Sequence, residues 1–304
     1  MYSRQTKIFG ILGFPLGHTL SPWIHNHLFS LSGFDGVYLV FENEFWNRKG
    51  VSSLLDLNVK GVSVTIPFKE WAFGIANEAC KASAQMKASN TLCFTDGKIS
   101  AHNTDGEGAI RSILEKNKKL LNPEDSSSIL LVGSGGSAKG ILFSLAEKIK
   151  ENATNHLTTI HSSLPKGKIR ILARNKTAVT EMIQSLNVND LVSPISLEEA
   201  MEERKNISLT IHTTPVGMKG VGGEPILNRD FFHKHSVLFD IVYNPLETDL
   251  VKEAKKKNAN IIPGYSMLLY QGIRQFELFT QIPVEKKWIG KIESILLKEL
   301  KKRK

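Results

Sequence analysis

Residues 127–152 read SSILLVGSGGSAKGILFSLAEKIKEN: an apolar run, a group of glycines and an amphipathic stretch in immediate succession. The run SSILLVG has the unbroken apolar character of a strand buried on both faces. The stretch ILFSLAEKIKEN spaces its apolar residues along one face of a helix. Between them, Gly133, Gly135 and Ala138 satisfy the pattern G-x-G-x-x-G/A. In such a turn the first glycine permits the tight bend, the second leaves room for a pyrophosphate, and the small third residue lets helix and strand pack closely. The phosphates then meet the N-terminus of the helix, where unpaired N–H groups and the helix dipole favour negative charge. Glycines also occur in ordinary turns. Their placement between a strand and a helix makes Gly133, Ser134, Gly135, Gly136, Ser137 and Ala138 the candidate cradle of a dinucleotide.

The end of the next strand, expected over Ile169 to Ala173, distinguishes the two common dinucleotides. An NAD site usually places Asp or Glu there for the ribose hydroxyls, whereas a 2′-phosphate calls for a cation. The run here is Ala173, Arg174, Asn175, Lys176, with no acid. A guanidinium can both stack on and fork to a phosphate, so these four residues are expected to bind NADP.

Working outward, KIFGILG, VYLVFE, GVSVTIP and NTLCF alternate with helical stretches between Ile8 and about Phe94. Alternation of this kind predicts an α/β domain with a largely parallel sheet. Polar residues from Asn117 to Ser128 mark a change of domain, with a crossing helix starting around Gly106. Beyond the glycine turn, strands are expected at Ser208 to His212 and Val237 to Ile241. Helices follow from about Ser266 to Phe279 and from Val284 onward. The stretch from Asn152 to Lys168 is long for a connection and is expected to be a surface excursion.

A chain of 304 residues with 41% hydrophobic content has enough apolar material for two domains. No apolar run approaches the length of a membrane span, and Gly10, Gly13 and Pro15 interrupt the first one, so neither a membrane anchor nor a signal peptide is expected. Cys80 and Cys93 are the only cysteines. They point to a reducing, cytoplasmic setting without disulfides or a structural metal. The formal charge of +9 raises nucleic acid as a partner. However, Lys116 to Lys119, Lys255 to Lys257 and Lys298 to Lys304 fall near expected helix ends, where cations complement the dipole, so no nucleic acid is expected.

Seven segments carry a resemblance: GFPLGHTLSPWIHN from Gly13, GVSVTIPFKE from Gly61, SNTLCF with AHNTDGEG, VGSGGSAKG, TTPVGM from Thr213, DIVYNPLET from Asp240, and GYSMLLYQG from Gly264. In this order they closely resemble the shikimate dehydrogenases and the related quinate/shikimate enzymes. The resemblance implies a two-domain α/β fold with its active site in the intervening cleft. Residues 1–106 would bind substrate, 107–263 would form a Rossmann domain for NADP, and 264–304 would be helices returning to the substrate domain. It implies NADPH-dependent reduction of 3-dehydroshikimate to shikimate, within aromatic amino acid biosynthesis.

Carried over by motif, Lys69 and Asp105 match the catalytic pair. Thr19, Ser21, Thr65, Asn90, Tyr243 and Gln271 match substrate ligands, and Thr213, Gly264 and Met267 join the cofactor site. The partner is then a small molecule, with the chain acting as a monomer or homodimer. The chemistry needs such a pair: as hydride reaches the C3 carbonyl, negative charge grows on oxygen and must meet a proton or a fixed cation. Both roles stay open for Lys69, with Asp105 holding its ammonium in place.

Three departures from the family pattern bear on specificity. Thr19 stands where a serine is usual, adding a methyl group at the expected carboxylate site. Ser63 stands where Asn is usual, and Ala173 and Asn175 flank Arg174 in place of Asn and Thr. Two rivals follow: a quinate/shikimate dehydrogenase using NAD, and a catalytically silent NADP-binding regulatory protein. His18, His25 and His27 offer no metal-binding pattern.

Overall fold

A computed structural model describes residues 3–122, 125–156 and 167–302, the side chains of 155 and 156 excepted. Two units emerge, one from 1–108 together with 269–304, the other from 109–268. The first runs β1 (Lys7–Gly13), α1 (Ser21–Ser32), β2 (Gly36–Glu42), α2 (Arg48–Asp56), β3 (Val59–Val64), α3 (Lys69–Ile75), β4 (Glu78–Ala79), α4 (Lys81–Met86), β5 (Thr91–Thr95), β6 (Lys98–His102) and the start of α5 (Asp105–Lys116). The second runs β7 (Ser128–Val132), α6 (Gly136–His156), β8 (Ile169–Leu172), α7 (Lys176–Leu186), β9 (Val192–Pro194), α8 (Leu197–Glu203), β10 (Ile207–His212), β11 (Val237–Asp240), α9 (Asp249–Lys256) and β12 (Asn260–Ile262). Two helices close the chain, α10 (Gly264–Thr280) and α11 (Lys286–Lys302).

The first sheet has the order β2-β1-β3-β5-β6-β4. Strands β1, β2 and β3 are parallel, but β5 runs antiparallel to both β3 and β6. With β4 parallel to β6, three of the five pairings are parallel, as expected, and β5 supplies the antiparallel part. The hairpin between β5 and β6 turns at Asp96 and Gly97, both with positive φ, which matches the right-handed twist of paired strands. Strand β3 ends at Val64 rather than continuing through Pro67, because proline has no N–H to give a ladder.

One face of this sheet packs Leu12, Val62, Val64 and Leu92 against Ala72 and Ile75 of α3. An aromatic cluster joins β1, α1 and α10, with Phe9 5.4 Å from Phe29 and 5.1 Å from Phe279, and Phe29 5.5 Å from Phe276, measured between ring centres. Helix α11 lies against α1. His25 of α1 is fully buried and stacks on Tyr38 at 4.2 Å with an interplanar angle of 4°. Its Nε2–H faces Gln275 Oε1 at 3.4 Å.

Burial lowers the His25 pKa to about 3, against a smaller opposing effect of its bond to Gln275. The unfolded chain therefore takes up this proton first as the medium is acidified. Stability from the neutral ring is complete above about pH 6.5 and is lost as pH falls toward 3, at about 1 kcal/mol for each pH unit. Urea unfolding at pH 7, 6 and 5 is expected to show this decline, with a shallower slope in His25→Phe. Equal slopes in the two proteins would refute the assignment to His25.

The second sheet is wholly parallel, in the order β12-β11-β10-β7-β8-β9. From β7 the chain moves outward to β8 and β9, then crosses back to β10 on the other side of β7, so the order reverses between β7 and β10, as in a doubly wound dinucleotide fold. Leu130 and Leu131 are completely buried, as a strand covered on both faces requires. Helix α6 starts within the glycine turn at Gly136 and continues to His156, so the excursion expected from Asn152 begins as helix. Most of the rest of that segment lies outside the described residues.

Candidate active site

Strand directions explain why distant motifs of the first unit meet. Strands β1 and β3 are parallel, with Leu12 beside Val64, so the loops after both leave at the same end. Antiparallel β5 begins there, with Thr91 beside Ser63, and β6 ends there, with His102 beside Thr91. Four segments thus gather at one end of the sheet: the loop carrying Thr19 and Ser21, the turn from Thr65 to Lys69, Asn90, and the stretch from His102 to Asp105.

Lys69 opens α3 and Asp105 opens α5. Lys69 Nζ donates to Asp105 Oδ2 at 2.6 Å, and their side chains remain 32% and 24% exposed, so the pair is open to a ligand. The other carboxylate oxygen accepts from Asn90 Nδ2 at 2.9 Å. Asn90 is itself buried. Its Oδ1 accepts from the Thr104 N–H at 3.0 Å and the Thr91 hydroxyl at 2.8 Å. With the carbonyl side taken by donors, the amide can only turn its NH2 toward Asp105. The same NH2 lies 3.4 Å from Gln271 Oε1. Lys69, Asn90, Asp105 and Gln271 therefore form one cluster.

Behind it stands a layer the motifs did not reveal. Gln275, one helical turn beyond Gln271, donates to Asn90 O and Thr91 Oγ1, both at 3.0 Å. Ser63 Oγ donates to Gln275 Oε1 at 2.8 Å and accepts from the Tyr38 hydroxyl at 2.6 Å. Ser63, at the position where the family often has Asn, thus points into the fold and supports Gln275. Tyr38 is also hydrogen-bonded to Ser21, and burial raises its phenol well above the ordinary range. The Ser21 N–H donates to Thr19 Oγ1 at 3.4 Å. Thr65 is half-buried, its N–H on Leu12 O at 3.0 Å.

Cys80, just after the edge strand β4 that pairs with β6, caps α4 by accepting from the Ser83 N–H. Burial pushes its thiol up, but hydrogen bonds involving His102, Ser83 and Asn103 outweigh that and bring it down to about 6. Burial pushes Cys93 up to about 12. Nothing in the sequence neighbourhood of Cys80 marks it.

In the second unit, Gly133 has φ +119°, and a Cβ there would lie 2.5 Å from Thr213 Oγ1. Any side chain would force apart the turns after β7 and β10. Thr213 donates its hydroxyl to Val132 O at 2.7 Å, tying those turns together. No atom stands within 4 Å of where a Cβ of Gly135 or Gly136 would be, so a phosphate can approach the backbone. Ser134 and Ser137 flank this space, and Ala138 is fully buried against the sheet. These residues fit a pyrophosphate. After β8, Ala173 is half-buried while Arg174 and Lys176 are exposed. The Asn175 side chain caps α7 by accepting from the Ala178 N–H at 3.0 Å, which leaves the two cations as the groups suited to an added phosphate.

Gly264 starts α10 where a Cβ would fall within 2.7 Å of the carbonyl oxygens of Asp240, Ile241 and Val242. Only glycine lets the helix begin so close to the end of β11. Met267 is half-buried in its first turn, and Tyr243, also half-buried, follows β11.

Comparison with known proteins agrees with this geometry. A family model for the shikimate dehydrogenase substrate binding domain matches residues 11–92. The shikimate dehydrogenase (NADP(+)) of Leptospira interrogans is 44% identical over 306 aligned positions, covering 99% of this chain and 98% of the relative. A crystal structure of shikimate dehydrogenase in complex with NADP+ superposes with a TM-score of 0.81 at 28% identity, covering 99% of this chain and 98% of that one. Shikimate 5-dehydrogenase from Listeria monocytogenes, solved in complex with shikimate and NAD, gives 0.80 at 25% identity, covering 96% and 97%. At 44% identity over nearly the full length of both chains, the chain belongs to the shikimate dehydrogenase family.

Proposed function

We propose that this chain catalyses the reversible reduction of 3-dehydroshikimate to shikimate with NADPH, and that Lys69 and Asp105 are its catalytic residues. The observation that carries the assignment of roles is the 2.6 Å ion pair, open on one side and buttressed on the other by Asn90. When bound, NADPH supplies the hydride that attacks the C3 carbonyl carbon. The oxygen gains negative charge, which the Lys69 ammonium meets by hydrogen bonding and by giving up a proton as the hydroxyl forms. Asp105 fixes the ammonium and accepts from the product hydroxyl. Asn90 and Gln271 hold ring hydroxyls, Thr65 lines the same end of the sheet, and Thr19 and Ser21 receive the ring carboxylate. In the oxidative direction the same groups take the hydroxyl proton as hydride leaves.

We infer a cytoplasmic setting, supported by the two cysteines, Cys80 and Cys93, both free and forming no disulfide framework. Among the described residues, no helix is long and apolar enough to cross a membrane.

Reduction of NADP+ and NAD+ at 340 nm, with shikimate and quinate supplied separately, tests the activity. Turnover is expected to be fastest with shikimate and NADP+. Thr19→Ser is expected to shift the shikimate-to-quinate ratio of kcat/KM by several-fold, roughly the effect of a methyl group in a tight pocket. Preference for quinate and NAD+ would favour the broader quinate/shikimate branch. No turnover with either acid would leave the silent NADP-binding protein as the better account.

A further inference from the structure

At the ends of β10 and β11, a chain of buried polar groups serves neither the phosphate turn nor the catalytic pair. Asp240 and His212 are both essentially inaccessible. Asp240 Oδ1 accepts from His212 Nδ1 at 3.0 Å and from the Val242 N–H at 3.1 Å, while Oδ2 accepts from the Thr248 hydroxyl at 2.6 Å. Asp240, ringed by donors, fixes the imidazole with Nδ1–H as the donor; in the tautomer with its single proton there, Nε2 is an acceptor. Thr214 Oγ1 lies 2.6 Å from that Nε2. The Thr214 hydroxyl proton is therefore spent on His212, and its oxygen is left able only to accept. It takes a long bond from the Val216 N–H at 3.4 Å, and the residue is half-exposed.

This arrangement sits on the far side of the switch point from β8, whose end addresses the adenosine ribose. The ends of β10 and β11 thus face the other mononucleotide half. The turn from Thr213 to Met218 is held there from two directions, by Thr213 on Val132 O and by Thr214 on His212.

We propose that His212 is a positioning residue for the cofactor: through its Asp240-fixed tautomer it orients Thr214, whose oxygen accepts from the primary carboxamide of the nicotinamide. His212 does not touch the cofactor; it decides which way the Thr214 proton points. The proposal rests on the NADP reading.

The test is equilibrium binding without turnover, by calorimetry, of NADP+ and of adenosine 2′,5′-bisphosphate, which keeps the 2′-phosphate and lacks nicotinamide. Both His212→Leu and Thr214→Val are expected to weaken NADP+ about tenfold, the worth of one oriented hydrogen bond, while binding of the bisphosphate stays unchanged. His212→Gln, whose amide can donate to Asp240 and accept from Thr214, is expected to restore most of the NADP+ affinity. Equal weakening of both ligands would mean a merely structural role and overturn the proposal, as would wild-type NADP+ binding in Thr214→Val. That substitution is half-exposed and nearly isosteric, so it carries the test if His212→Leu does not fold. Wild-type protein that binds neither ligand would overturn the NADP reading itself.

Discussion

Replacing Lys69 by alanine is expected to lower kcat roughly 10³-fold, within the range seen when one proton-transfer and charge-stabilising group is removed. KM for shikimate should change much less, because the ammonium interacts most strongly with the oxygen as it becomes charged. The fold should survive. Lys69 is about one-third exposed and lies on the first turn of a short helix, so no core packing is lost. Asp105 keeps its bond from Asn90. Steady-state kinetics and a thermal melt on the same preparation check the claim. A wild-type rate removes Lys69 from the mechanism, and a large drop in melting temperature would attribute the loss to structure instead.

The second large effect concerns the added phosphate. Arg174→Ala is expected to raise KM for NADP+ by about 30-fold, as for loss of a charged hydrogen bond, and KM for NAD+ by less than about twofold. The reasoning is local. Asn175 is occupied in capping α7, so it cannot serve both the helix and a ligand. Arg174 and Lys176 stand exposed beside it without a neighbouring acid in the run from Ala173 to Lys176. Equal increases for both cofactors would show that Arg174 does not read the 2′-phosphate.

The second unit was the more legible in sequence, because its features are contiguous: strand, glycine turn and helix occupy residues 127–152, and each has its own periodicity. Its short outer strands β9 and β12 passed unnoticed, since three residues carry no measurable alternation. In the first unit the β6 strand carries little signal of its own: Asp96-Gly97 marks a hairpin turn, but the residues around it alternate only weakly. The Lys69–Asp105 ion pair is foreshadowed only by its two motifs; taken singly, Lys69 is a strand-end lysine and Asp105 a helix-start acid. Gln275 and Thr91 carry no sequence signal, and Ser63 shows only as a departure from the family pattern. Their role depends on which side chains the antiparallel β5 brings beside α10, and no spacing along the chain encodes that. His212 was hidden for a similar reason: it ends an apolar strand, and its partners Asp240 and Thr248 are far along the chain.

The first unit is assembled from both ends of the polypeptide, whereas the second is one continuous stretch. On the ribosome, the second unit has all of its residues available before most of α10 and all of α11 have emerged. Until then Phe9 and Phe29 lack Phe279 and Phe276, and the apolar side of α1 is uncovered. The nascent substrate unit must therefore wait through the synthesis of 160 intervening residues, 109–268, with its aromatic surface open to solvent and to chaperones. Closing so long a loop makes its folding slow relative to the cofactor unit.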